Sequence, residues 1–336
     1  MHLNRAGRSY AAVLTWTAGA TTALAVGLAT NSLSGAKLRL HWAIPAAVSF
    51  ALAALGYLER SRRPASGLLI ASPLSIWPQN WVKPVQEYVR EYHLATTQIV
   101  VPITVSQLGT VPIAEKLAKR VRDWQKAQVE IPIRRSDSTA IFLNSPTPVC
   151  FSLGAQLREM KSIRVFQLKG NSSGGVSSFF EAVDLRRRPK SMRWARWLSE
   201  QHVAGTGGTP GVTAVILDIS KNPISPQALQ DAWARGATNA MIVTFADATK
   251  FLGKRRSLRE VPESRRAMSG ITRACETILI RHLDALAESG GAPSKVLLYI
   301  RMPVSMAFAL GYQLKRNSFD YLYQQSDSSP FIQFIV

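Results

Sequence analysis

Residues 140–167 read AIFLNSPTPVCFSLGAQLREMKSIRVFQ, and residues 297–324 read LLYIRMPVSMAFALGYQLKRNSFDYLYQ. Aligning Gly154 with Gly311 sets an offset of 311 − 154 = 157. At that offset Phe142 meets Tyr299, Leu143 meets Ile300, Pro146 meets Pro303 and Phe151 meets Phe308. Leu153-Gly154 meets Leu310-Gly311, Gln156-Leu157 meets Gln313-Leu314, Arg158 meets Lys315, and Phe166-Gln167 meets Tyr323-Gln324. Matches without a gap at one offset are the mark of an internal duplication.

Each copy has the same physical reading. The apolar runs 140–143 and 296–300 suit strands buried in a parallel sheet. Pro146 and Pro303 follow a polar step and mark helix starts. Val149, Leu153 and Leu157, and likewise Met306, Leu310 and Leu314, then recur at helical spacing. Gly154 and Gly311 fall inside these helices, where glycine costs about 1 kcal/mol relative to alanine. A costly residue kept twice points to a close approach of helix to sheet. Strand, short polar loop and helix N-terminus is the arrangement at which open α/β sheets bind ligands, anionic ones above all.

The rest of the chain repeats this theme. From Gly67 the pattern predicts a strand (68–71), a helix (81–94), a strand (98–104) and a basic amphipathic helix (113–128). The first repeat copy follows, then strands at 163–169 and 178–185 around a flexible loop, 170–175. Residues 201–211 read as a Gly-rich linker that lacks the Gly-Lys-Ser/Thr ending of a phosphate loop. From Val212 the pattern restarts with a strand (213–219), a helix (225–236) capped by Ser225, a strand (240–245), a basic loop-like stretch (250–266) and a helix (271–288). The second repeat copy and strands at 319–324 and 331–336 complete it. The expected fold class is α/β: two tandem Rossmann-like lobes, over 64–205 and 206–336, behind an N-terminal segment, 1–63.

That N-terminal segment reads as a membrane hairpin. Residues 10–30 and 40–58 are apolar and free of Asp, Glu, Lys and Arg, and each is long enough to cross about 30 Å of hydrocarbon. Arg5 and Arg8 precede the first span, Lys37 and Arg39 lie in the turn, and Arg60, Arg62 and Arg63 follow the second. This charge bias places both ends in the cytoplasm. A cleaved signal peptide is the competing reading, opposed by the length of the first apolar run and by the second run behind it. Small residues in the first span permit close helix packing, within one hairpin or between several.

The chain of 336 residues has a formal net charge of +20, of which 7 − 1 = +6 lies in residues 1–63. The remainder favours anionic partners without choosing among nucleotides, nucleic acid and anionic lipid. The run RRRPK at 186–190, interleaved further on with Trp194 and Trp197, fits nucleic acid, lipid headgroups or a plain solvated helix face. The five histidines share no metal spacing, and no nucleophile elbow is present. Cys150 and Cys275 sit in apolar helical contexts and read as buried hydrophobes. Asp218 ends a strand, where a turn or cap role competes with a site role.

A binding site is better supported than a catalytic one. The first lobe brings Ser72, Ser75, Asn144 and Ser145 to its strand ends, and the second brings Ser220, Lys221, Arg301 and Ser305. Lys169 and Gln324 end the strands that follow. With two helix N-termini, this set suits a compact ligand bearing phosphates and bases.

The paired runs NSPTPVCFSLGAQL and RMPVSMAFALGYQL, each after an apolar strand, resemble the P-x-x-x-x-F-x-L-G pattern of SAVED domains. The resemblance covers about residues 67–336 and implies a fusion of two CARF-like lobes that senses a cyclic di- or trinucleotide in bacterial antiphage (CBASS) systems. The hairpin resembles the two-transmembrane-helix effector version. The resemblance implies no enzyme activity, no cofactor, and a ligand supplied by a nucleotidyltransferase of the cyclic-GMP-AMP-synthase type. It further implies head-to-tail homo-oligomers at the bacterial inner membrane that disrupt the lipid bilayer. The rival readings are a membrane-tethered nucleic-acid-binding regulator and a membrane-anchored α/β enzyme.

Overall fold

The computed structural model describes residues 66–72, 82–91, 95–102, 112–130, 139–169, 179–185, 192–246, 249–251, 254–256, 260–290, 293–314, 319–323 and 331–334. The hairpin expected over 1–63, the loop 170–175, the basic run 186–190, Ser75 and Gln324 lie outside them. Among the described residues, no helix is long and apolar enough to cross a membrane.

The first lobe contains β1 (Ser66–Ala71), α1 (Val82–Glu91), β2 (Ala95–Val100), α2 (Ile113–Glu130), β3 (Thr139–Asn144), α3 (Thr147–Gln156), β4 (Ile163–Leu168) and β5 (Phe179–Asp184). A short helix, α4 (Met192–Ala195), leads into the second. That lobe contains β6 (Leu198–Ala204), β7 (Val212–Asp218), α5 (Ser225–Ala234), β8 (Asn239–Phe245), β9 (Thr249–Phe251), β10 (Lys254–Arg256), α6 (Arg265–Gly290), β11 (Lys295–Arg301), α7 (Val304–Gln313), β12 (Asp320–Tyr323) and β13 (Ile332–Phe334).

The sheets run in the orders β2-β1-β3-β4-β5 and β13-β12-β11-β7-β8-β6. In each, four parallel strands carry an antiparallel strand beyond β4 or β12. Registers match across the duplication: Ala71 pairs with Asn144 as Asp218 pairs with Arg301. The apolar strands are continuous runs because helices cover both faces. Along β7, Ala214 and Ile216 pack towards Ala228 and Ala232 of α5, while Val215 and Leu217 point into the opposite core. Leu69 meets Val85 of α1, while Leu68 and Ile70 face that same opposite core. Helices α1 and α5 thus cover the outer faces. Helices α2, α3, α6 and α7 fill one core shared by both lobes, with Leu117, Val121, Phe151, Ile271, Leu279 and Phe308 inside it.

Three local expectations are corrected. Residues 198–204, read from 201 on as linker and placed with the first lobe, form β6, which pairs antiparallel with β8 in the second sheet. Their polar side chains hide the strand, because an edge strand needs ladder hydrogen bonds and not an apolar run. The stretch 250–266 holds the β9–β10 hairpin and the first turn of α6. Ser264 starts that helix: its Oγ accepts the Ala267 N–H at 3.3 Å. Ser225 does not cap α5. Asp218 does, accepting the N–H of Ile224 at 2.7 Å and of Ser225 at 2.9 Å, and the Ser225 hydroxyl.

The repeated glycines also differ from expectation. They serve a helix–helix contact and not a helix–sheet one. A Cβ on Gly154 would overlap the Phe308 carbonyl oxygen of α7, and a Cβ on Gly311 would overlap the Phe151 carbonyl oxygen of α3. The pairs are related by the duplication, since 308 − 151 = 157 and 311 − 154 = 157. Reciprocal contact of this kind is what a two-fold relation between the lobes requires. The C-terminal ends of the helices are then tied across the lobes. The Tyr312 hydroxyl donates to the Met160 carbonyl at 2.6 Å, and Arg158 donates to the Leu314 carbonyl.

Candidate functional site

The strand ends of the first lobe are held by a hydroxyl pair. The Ser72 N–H donates to the Asn144 carbonyl at 3.0 Å and to Ser145 Oγ at 2.9 Å. The two hydroxyls lie 2.7 Å apart, and both serines are fully buried. Buried hydroxyls are stable only when bonded. Here each satisfies the other and locks the end of β1 to the turn that starts α3. Asn144 beside them is half-buried.

The second lobe builds the same corner differently. The Ile219 N–H donates to the Arg301 carbonyl at 2.8 Å, matching the Ser72–Asn144 bond. Asp218 stands where the first lobe has Ala71, and its carboxylate is engaged as the α5 cap. Ser220 donates to the Asn222 carbonyl at 2.8 Å and to Asp218 Oδ1 at 3.3 Å, so it shapes the turn. Lys221 lies exposed on that turn, and Arg301 is half-buried at the end of β11.

The lobes meet at the start of α7. Ser305 is fully buried, its N–H donates to Gln167 Oε1 of the first lobe at 3.4 Å, and its hydroxyl faces the Met268 sulfur of α6 at 3.8 Å. Gln167 lies near the end of β4, two residues before Lys169, which is half-buried. The N-terminus of α7, with its positive dipole end, is therefore aimed at the strand ends of the opposite lobe. Elsewhere the lobes are joined by α6: Ser269 Oγ donates to the Ala182 carbonyl of β5 at 3.3 Å, and Arg265 reaches Glu181 at 3.0 Å.

The structure thus groups Ser72, Asn144 and Ser145 at one corner, and Ser305 with the strand end bearing Lys169 at the junction. Sequence reasoning missed Gln167, although the repeat offers it: it is the partner of Gln324 at the common offset. Met268, Arg158 and Tyr312 carry no such signal, since their roles depend on how the lobes dock. Burial pushes the Cys275 thiol up to about 12 and the Cys150 thiol higher still, so neither is a thiolate at neutral pH. Among the described residues, no group of three or more His, Cys, Asp or Glu side chains is placed to hold a metal ion.

A duplicated α/β chain, its halves fused through a shared helical core and with the start of α7 set against the end of β4, is two-lobed in architecture. The family model for SAVED, the SMODS-associated and fused to various effectors sensor domain, matches residues 113–336, and the chain belongs to this family. Among solved structures, the chain is similar to the Acinetobacter baumannii Cap4 SAVED/CARF-domain containing receptor with the cyclic trinucleotide 2'3'3'-cAAA, at 10% identity and a TM-score of 0.47, covering 88% of this chain and 58% of that one. The same receptor with 3'3'3'-cAAA matches at 10% identity and a TM-score of 0.45, covering 88% and 59%. The chain therefore spans less than two thirds of the length of those receptors. No curated protein sequence matches it.

Proposed function

We propose that this chain is the membrane-anchored effector of a bacterial antiphage (CBASS) system. A cyclic oligonucleotide, a di- or trinucleotide made by a nucleotidyltransferase of the cyclic-GMP-AMP-synthase type, binds between the two lobes. Bound chains associate head to tail through the SAVED part, and their clustered N-terminal hairpins disrupt the inner membrane from its cytoplasmic side. The ligand drives this only to the extent that it binds the assembled state more tightly than the free one.

The observation that carries the reading is the junction at α7. A helix N-terminus of one lobe faces the strand end of the other, through Ser305 and Gln167, with Lys169 two residues along the chain and Arg301 at the end of the strand before α7. Backbone N–H groups and cations drawn from two lobes suit a ring of phosphodiesters that presents different groups to each side. Membership of a sensor-domain family supports a ligand-reading role for that junction.

The test is a titration of the full chain, in lipid nanodiscs, with a panel of cyclic di- and trinucleotides and with duplex DNA. One cyclic species is expected to bind at nanomolar concentration, and DNA only weakly and with steep loss of affinity in salt. Arg301→Ala should weaken the cyclic ligand about ten- to hundredfold, the scale of a lost hydrogen bond to a charged group. Salt-resistant DNA binding with no cyclic ligand would overturn the proposal. An unchanged affinity in Arg301→Ala would move the pocket away from β11. Dye release from liposomes carrying the chain, on addition of the cyclic species that binds, tests the membrane step.

A further inference from the structure

The parallel strands of the first lobe start level with one another: Ser66 pairs with Ala95 and with Thr139, and Thr139 with Ile163. Those of the second lobe do the same, with Val212 beside Lys295 and Thr213 beside Asn239. Both sets of starts lie on one side of the molecule, because the chain is cross-tied just after α3 and α7. Tyr312 donates to the Met160 carbonyl there, and Arg158 to the Leu314 carbonyl. The strand ends, where Ser305 meets Gln167, are on the opposite side.

The chain enters on the strand-start side. Ser66 opens β1, and the second apolar run ends at Leu58. The seven residues between them, ERSRRPA, carry three arginines against one glutamate and reach about 25 Å at most. A six-residue strand alone sets the two sides about 20 Å apart. A body lying on its strand-end side would therefore draw this linker nearly taut, at the cost of its conformational freedom. On the strand-start side the first lobe exposes Lys161 and Glu159, with Arg158 half-buried. Lys126 is exposed on the C-terminal half of α2, where Arg122 donates to the Gln156 carbonyl at 3.4 Å. The second lobe presents the loop 205–211, GTGGTPG, which has no charged residue and is exposed from Thr206 to Gly211. It is held firmly: the Gly205 N–H donates to the Thr238 carbonyl at 2.9 Å and the Thr209 N–H to the Gly236 carbonyl at 2.8 Å. The Gly211 carbonyl accepts the Lys295 N–H at 3.2 Å and the Ser294 hydroxyl at 3.1 Å.

We propose that the strand-start side of both lobes docks on an anionic lipid surface. The inference rests on the membrane anchoring proposed above and adds an orientation to it. Arg60, Arg62 and Arg63 of the linker, with Lys126, Arg158 and Lys161, meet the headgroups under the first lobe. Cations are attracted to such a surface within about a Debye length of it. The loop 205–211 rests under the second lobe and gives up no ionic hydration as it approaches. The strand-end side then faces away from the lipid and stays open to a ligand arriving from the cytoplasm.

Fluorescence quenching in proteoliposomes of the full chain, without any nucleotide, tests the orientation. Single fluorophores are attached at Lys161→Cys and Gly207→Cys on the strand-start side, and at Asn222→Cys on the turn after β7; the native thiols are buried. Lys161 and Asn222 are exposed, and a side chain on Gly207 meets nothing within 4 Å, so all three substitutions fit the fold. The vesicles hold phosphatidylcholine, phosphatidylglycerol and a lipid with a nitroxide on its headgroup. Quenching at 161 and 207 should exceed that at 222 several-fold, although Lys161→Cys removes a cation from the docking side. Replacing the phosphatidylglycerol by phosphatidylcholine should weaken it at both positions. Chain retained through a carbonate wash but quenched equally at the three positions, or most at 222, overturns the orientation and leaves the anchoring standing. Quenching indifferent to phosphatidylglycerol overturns the anionic contact. Release of the chain by carbonate overturns the anchoring and the orientation with it.

Discussion

The two lobes share a strand order and a register, yet they solve the same structural problems with different chemistry. At the outer core of the first lobe, Phe142 stacks on Phe166 at 5.1 Å and meets Phe179 and Tyr88 edge-on at 5.4 and 5.7 Å. At the matching place in the second lobe stands Tyr299, fully buried, whose hydroxyl donates to Asp231 Oδ2 at 2.8 Å. Asp231 also pairs with Arg235, which donates to the Phe331 carbonyl at 2.9 Å. One lobe is closed by aromatic packing alone, and the other by a single edge-on pair, Tyr299 with Phe331 at 5.1 Å, joined to a polar network beside β13. The same division holds at the helix starts: the position matching Ser305 is Pro148, which has no N–H to give. Duplication kept the backbone frame and the glycine crossing. It let the polar groups diverge, so any ligand between the lobes meets two unlike walls.

The crossing is where the lobes should behave alike, and there the largest effect is expected. Gly154→Ala and Gly311→Ala each place a methyl group against a backbone carbonyl that has no freedom to rotate away. Each should destabilise by about 3 kcal/mol or more, as overpacking at rigid backbone does. In thermal unfolding both variants should melt at least several degrees lower, by similar amounts. A variant that melts like wild type at one position and not at the other would break the two-fold relation at this contact.

Next in size are the corners, where the lobes should differ. Asp218→Ala removes a carboxylate that serves two backbone N–H groups and a hydroxyl, and should cost about 2 kcal/mol. Ser145→Ala removes the partner of a buried hydroxyl and shares its backbone donor with Asn144, so about 1 kcal/mol is expected. Denaturant titration with unchanged slope measures both. The reverse ranking would mean that the first corner, not the second, carries the polar load.

Tyrosine and phenylalanine at the matched positions sharpen the contrast further. Tyr299→Phe leaves Asp231 with Arg235 alone and should cost about 1 kcal/mol. Phe142→Tyr, the mirror exchange, puts a hydroxyl among aromatic rings and should also destabilise, by about 1–3 kcal/mol. Burial and the bond to Asp231 raise the Tyr299 phenol far above its ordinary value, so it stays protonated throughout the range of a stability assay. If Phe142→Tyr were neutral, the first lobe would hold a hidden acceptor at the place where the second holds Asp231.

These contrasts explain which features are legible in the amino-acid sequence and which are not. The strand–proline–helix runs are local patterns, so β3, α3, β11 and α7 can be read directly, as can the duplication. Strand β6 cannot, because LSEQHVA gains its strand character from pairing with β8 and not from its own side chains. Gly154 and Gly311 are recognisable as costly, but which surface they approach depends on lobe docking. At the candidate site, polarity alone singles out the serines. Their actual partners, Ser145 for Ser72 and Gln167 for Ser305, lie 73 and 138 residues away in the chain. Contacts of that separation leave no periodic trace. Asp218 is the ambiguous case, and six residues on, the N–H of Ile224 decides it in favour of a cap.

The smallest expected effect lies where the second lobe has something the first lacks altogether, the added edge strand. His202 of β6 contacts Glu200 at 2.8 Å and lies over His282 of α6, with ring centroids 5.1 Å apart. Arg281 also reaches Glu200. Burial is the main cause that lowers the His282 pKa below its ordinary value; the charge of His202 adds to it, and Glu200 opposes it. A histidine depressed in the folded state binds its proton more readily when unfolded, so stability is full above the ordinary histidine range and falls as the pH drops through about 6.5 towards the folded value. His282→Asn should flatten that part of the stability–pH curve, and changes in the first lobe should not. The measurement is chemical denaturation of the full chain at several pH values between about 5 and 8, read with and without the substitution. Retention of the full slope in His282→Asn would assign the acid sensitivity elsewhere.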